Sequence, residues 1–107
     1  MSSTATLAYS ATAAGPTLPA NLLTAMEAVN LDESEIETVT GCTLTSDTSA
    51  LSGATATRTI VFAINTATFE ANFPSGTDQA APFRGLYTQA FSGALSCPIV
   101  ETPVVIA

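Results

Sequence analysis

Ala54-Thr-Ala-Thr-Arg-Thr-Ile-Val-Phe-Ala-Ile64 is the one run in this chain whose pattern has a single reading. Thr55, Thr57 and Thr59 alternate with Ala54, Ala56 and Arg58, and the run turns apolar from Ile60 to Ile64. Successive side chains of a strand leave opposite faces, so alternation in β-branched residues predicts a half-buried β-strand. The apolar end predicts cover on both faces there.

Working outward, Glu35 to Thr45 also alternates. Ile36, Thr38, Thr40, Cys42 and Leu44 would share one face, and the segment is expected to be the partner strand. Between the two, residues 46–53 are rich in turn formers, with Asp47 and Gly53 able to supply local hydrogen bonds and positive φ. The expectation is an antiparallel hairpin, 35–45 with 54–64, joined by a loop longer than the tight two-residue kind. Cys97 to Ala107 is apolar and extended, but Pro98 and Pro103 remove ladder donors and place it at an edge. Val104, Val105 and Ile106 then either complete the sheet or pair with another subunit.

Two helices are expected over this sheet. Pro19 suits a first helical turn, and Leu22, Met26 and Val29 fall at i, i+4 and i+7 up to Asn30. Phe83, Tyr87 and Phe91 repeat that spacing over 82–91, across Gly85. Asn65-Thr66 can cap a short helical turn running to Phe73. The fold class that follows is α+β, a small antiparallel sheet covered by two short helices, with an all-β sandwich as the alternative.

Residues 1–17 are almost wholly Ser, Thr, Ala and Gly, and are expected to form an extended or flexible arm. Leu7 and Tyr9, two apart, would point the same way if the arm docks on a partner as a strand. Residues 18–107 are expected as one compact domain ending in the extended segment 97–107. An apolar share of 47%, a mean hydropathy of +0.39 and 10% charged residues exclude global disorder.

The charge is lopsided, with nine acids against two arginines and a net charge of −7. Nucleic-acid and anionic-membrane partners need clustered Lys and Arg, so neither is expected. No stretch has the basic-then-apolar layout of a signal peptide or a membrane-length apolar run. The acids concentrate at Asp32-Glu-Ser-Glu-Ile-Glu37, read as a solvated turn with a divalent-cation site as the alternative; the spacing is not that of an EF-hand loop. Arg58 and Arg84 are expected to meet those acids or a neighbouring subunit. Cys42 and Cys97 are read as separate buried thiols, with a disulfide as the alternative.

The chain has no His and no Lys, which removes the usual general base, the Schiff-base amine and any Ser–His–Asp arrangement. A carboxylate pair, Glu70 with Asp78 or Glu101, is the one acid/base arrangement left to consider. No enzyme activity and no cofactor are expected. The low-charge Thr/Ser/Ala surface, the arm and the adhesive C-terminus instead suit a subunit that gains order within an assembly. The expectation is a non-catalytic virion structural protein: a phage capsid cement or decoration subunit, or a small head–tail component. An extracellular filament or surface-layer subunit assembling by strand addition is the alternative. Either would meet other protein subunits through Leu7, Tyr9, Arg58, Arg84, Val104, Val105 and Ile106.

Overall fold

The computed structural model describes residues 4–107. Its organising element is β1 (Thr4–Thr12), an interior strand of a four-stranded antiparallel sheet. The other strands are β2 (Thr43–Ser52), β3 (Thr55–Ala63) and β4 (Val100–Ile106), in the order β2-β3-β1-β4. Helices α1 (Pro19–Ala28), α2 (Glu33–Thr40), α3 (Ala67–Asn72) and α4 (Thr88–Ala94) and a 3-10 turn at Ala81–Phe83 complete an α+β fold.

The stretch expected as an arm is extended, but from Thr4 to Thr12 it lies inside the sheet. Thr4 faces Ala63 and Thr12 faces Thr55 on one side, and Ser10 faces Val100 on the other. Met1, Ser2 and Ser3, the first residues of that expected arm, lie outside the described residues. Alternation explains the strand: Ala5, Leu7, Tyr9 and Ala11 are buried, while Thr4, Thr6, Ala8 and Ser10 are half-buried on the other face. β3 repeats this, with Ala56, Arg58, Ile60 and Phe62 inward and Thr55, Thr57, Thr59 and Val61 outward.

The hairpin's first strand also differs from expectation. Residues 33–40 are helical, and strand begins only at Thr43, so β2 occupies the segment read as a connector. Glu33 and Glu35 sit in the first turn of α2, where acidic residues are favoured by the exposed N–H groups and the positive end of the helix dipole, although burial favours the protonated form of Glu33. Gly41 ends the helix at φ +81, a left-handed cap that favours glycine. Those end signals outweigh the β-branched alternation of Ile36, Thr38 and Thr40. The β2–β3 turn is the tight kind: Ser52 pairs with Thr55, leaving only Gly53 and Ala54 between, with Gly53 at φ +60. Positive φ at the first central residue alone is the II′ geometry, which matches strand twist.

The expected helix over 82–91 is split. Gly85 takes φ +67 after the 3-10 turn, and α4 starts at Thr88. Phe83, Tyr87 and Phe91 are nevertheless all buried. α1 begins with Pro19 in its first turn and buries Leu22 and Met26. Thr66 caps α3, its Oγ1 accepting the Phe69 N–H at 3.0 Å. These side chains form one core with Leu7, Tyr9, Ile60, Phe62 and Ile64. Ring contacts stitch it, with centroids 5.5 Å apart for Phe62–Phe83, 5.8 Å for Phe69–Phe83 and 4.9 Å for Tyr9–Phe91. Cys42 and Cys97 are buried free thiols.

The C-terminal strand completes the sheet within the chain. Thr4 and Ala107 exchange two backbone bonds, 2.9 and 3.0 Å, and a register shift opposite Thr6–Ala8 accommodates Pro103. The helices of the described residues gather on one face, and the molecule is elongated, with extents of 47 × 23 × 18 Å. Its radius of gyration of 14.6 Å exceeds the roughly 13 Å of a compact domain this long.

Candidate functional site

Two features stand out: an ionic cluster beneath the sheet edge, and the sheet face that no helix covers.

The cluster is built on Arg58. Its place in the inward register of β3 aims the guanidinium under α1, where it is 6% exposed. Nε and Nη2 donate to the two carboxylate oxygens of Asp47, at 2.8 and 2.7 Å, in the bidentate geometry of a strong pair. Nη1 donates to the carbonyls of Met26 and Val29, at 2.9 and 2.8 Å. Helix ends leave carbonyls without intrahelical partners, so Arg58 closes the C-terminus of α1 and complements its dipole. The carbon of its guanidinium lies 5.9 Å from the centre of the Phe91 ring.

Glu33, at the start of α2, faces Asp47. Burial, with Asp47 beside it, pushes its carboxyl from an ordinary 4.5 up to about 7. Asp47 moves the opposite way, held below its usual range by the Arg58 hydrogen bonds. Among the described residues Glu33 Oε2 has no partner as a carboxylate; protonated, the group can donate to Asp47. An open hollow of about 200 Å³ adjoins the pair, lined by Glu27, Asp47, Ser49 and Arg58. Arg58's donors are largely spent within the protein and acids line the rest, so the hollow does not suit an anion. Among the described residues, no group of three or more His, Cys, Asp or Glu is placed to hold a metal ion. The cluster's chemistry is that of a fastener between α1, α2 and the β2–β3 hairpin.

The residues expected at an interface separate. Leu7 and Tyr9 are 1% and 0% exposed and belong to the core; the Tyr9 hydroxyl accepts the Tyr87 N–H at 3.2 Å. Arg58 meets Asp47, from a segment read as a loop, with Glu33 of the 32–37 run nearby. Arg84 makes an exposed bidentate pair with Asp78, six residues back, and not with the acidic run. Val104 and Ile106 pack against the core, while Val105 is exposed on the outer face of β4. Glu101, considered for acid/base work, accepts from the Gly85 N–H and the Thr88 hydroxyl, 3.0 and 2.9 Å away.

Sequence reasoning missed the uncovered face. It carries the outward Thr, Ser and Ala of β1 and β3, flanked by Thr48 and Ala50 of β2 and by Val100 and Val105 of β4. None of these residues joins the core. The charged residues of the strands, Asp47, Arg58 and Glu101, all lie in the inward register, opposite Ile60, Ser49 and Tyr9. The other acids and Arg84 are in helices and loops. The face therefore carries no charged side chain, although the chain's net charge is −7. The signal was present in the Thr4/Thr6 and Thr55/Thr57/Thr59 alternations, but only the topology puts them side by side.

No family model, curated protein or solved structure matched the chain. Among the described residues, no helix is long and apolar enough to cross a membrane.

Proposed function

We propose that this chain is a non-catalytic structural protein of a virion, a phage capsid cement or decoration subunit or a small head–tail component, that works by binding other protein subunits. The observation that carries the reading is the uncovered sheet face, broad, free of charge and made of short side chains. Such side chains lose little conformational freedom when ordered, and their desolvation costs little if the hydroxyls find partners. Exposed Val100 and Val105 add apolar area to it. The composition is consistent with this role, since it lacks the His and Lys that most catalytic devices use.

A filament or surface-layer subunit growing by strand addition is the second reading. The open outer edge of β4 favours it. Pro103 and the register shift work against it, because both interrupt an edge ladder.

Electron microscopy of purified native particles, with mass spectrometry of their proteins, tests the proposal. The chain is expected at regular positions on a shell or tail, in stoichiometric amount. Its absence from purified particles, while it is abundant in the producing cell, would overturn the virion assignment. A free fibre built of this chain alone would favour the second reading.

A further inference from the structure

We infer that two copies of this chain pack the open faces of their sheets against each other, about a two-fold axis. The inference rests on the reading above that the chain acts by assembling with protein, and it names the first partner as a second copy.

Charge selects that occupant. In a two-fold contact each residue near the axis meets its own counterpart, so any charge there is opposed by the same charge. A body of net charge −7 adds no local like-charge contact at the axis when it self-associates through a neutral surface, and among the described residues the sheet face carries no charged side chain. A partner of different sequence would place no such demand on it. The hydroxyls point the same way, since each Thr both donates and accepts and needs no complementary chemistry opposite. Thr12 and Thr55 already show such a pairing on this face, with their Oγ1 atoms 3.0 Å apart.

The size is adequate. Four strands about 4.8 Å apart, each about 27 Å long, present about 500 Å² per copy, or about 1,000 Å² in the pair. That is at the threshold of a specific contact, and it implies a weak dimer with dissociation constants of about micromolar order or above. The face is centred on Thr57 and Thr59 of β3 and Thr6 of β1, with Val105 and Thr48 at its two margins. Two twisted sheets stacked in this way lie about 10 Å apart and about 30° off parallel. Each copy, a sheet with its helices, becomes one half of a four-layer body.

Sedimentation equilibrium of the full chain, from about 5 µM to about 500 µM, tests this over the expected range. A concentration-dependent dimer is expected, strengthened by added salt because screening removes the repulsion between the two acidic bodies. Thr57→Glu, which opposes two carboxylates near the axis, is expected to shift the dissociation constant at least tenfold with an unchanged circular dichroism spectrum. Should that variant not fold, Thr59→Glu, also at the centre of the face, decides by the same shift. A wild-type chain that stays monomeric at the highest concentration overturns the inference, as does a dimer that neither substitution weakens. Either result leaves the virion assignment standing, because that is judged on purified particles and can be met with a different partner.

Discussion

Arg58 holds Asp47 by two near-parallel hydrogen bonds, 2.8 and 2.7 Å, while its remaining nitrogen closes the carbonyl end of α1. One inward-facing cation thus ties the hairpin to the helix above it. In an interior this apolar, its value depends on every partner being present.

Removing both partners is therefore expected to cost less than the two single losses added together. Arg58→Met strips Asp47 and two carbonyls of their donor and should destabilise by about 3–5 kcal/mol, a large share of a typical total of about 5–15. Asp47→Leu should cost about 3 kcal/mol by leaving the guanidinium unpaired. The double variant should lose clearly less than the sum, because contacting residues are not additive. Urea unfolding of the three variants measures the coupling; strict additivity would mean that the pair does not act as a unit.

Tyr9 and Tyr87 touch edge to face, 6.2 Å between centroids, but their hydroxyls differ. Tyr9 OH accepts the buried Tyr87 N–H, whereas Tyr87 OH has no protein partner among the described residues. Burial pushes the Tyr9 phenol up to about 12 and raises that of Tyr87 as well. Tyr9→Phe orphans a buried donor and should cost about 1–2 kcal/mol, while Tyr87→Phe should be neutral or slightly stabilising. Thermal melts of the two single variants distinguish these outcomes, and equal losses would contradict the bonding pattern.

Glu33 sets a pH dependence with an unusual sign for a carboxylate. Its pKa rises from 4.5 to about 7 on folding, so the folded chain holds the extra proton between those values. Its contribution is full below pH 4.5 and is lost as pH rises through about 7. Asp47, lowered from 3.8, contributes above that value and loses its contribution as pH falls below it. Together they favour mildly acid solution, near pH 4 to 5. A melting temperature that falls between pH 5 and 7 in the wild type, and falls less in Glu33→Gln, is the expected result. Parallel profiles would remove Glu33 from the account.

Two glycines with left-handed φ should respond differently to alanine. A Cβ on Gly41 would lie 2.5 Å from the Thr68 methyl and 2.8 Å from the Phe69 nitrogen, at a cap whose carbonyl also accepts the Thr66 hydroxyl. Gly53 has nothing within 4 Å of that position. Gly53→Ala should cost about 1–2 kcal/mol from backbone strain alone. Gly41→Ala should cost more, because α2 and α3 must also move apart. Denaturation midpoints of the two variants, compared at equal slope, check the difference.

The α+β class was legible from the chain, because burial in a half-covered sheet imprints a period of two and burial of a helix imprints one near 3.6. Residues 55–63, the stripe Leu22–Met26 and the Thr66 cap carry such imprints and lie where their patterns put them. So does the absence of His and Lys, which limits the chemistry whatever the fold. Other features depend on which segments become neighbours. Thr4–Thr12 has the alternation of a strand, but only pairing with β3 and β4 turns a polar-looking terminus into the middle of the sheet. Glu33–Thr40 alternates like a strand, yet its end signals make it a helix. The uncharged face is likewise a product of register, since it needs Asp47, Arg58 and Glu101 all turned inward at once. Local pattern records which side of an element is buried; which elements share that side, and what their outer faces then present together, is settled by long-range pairing.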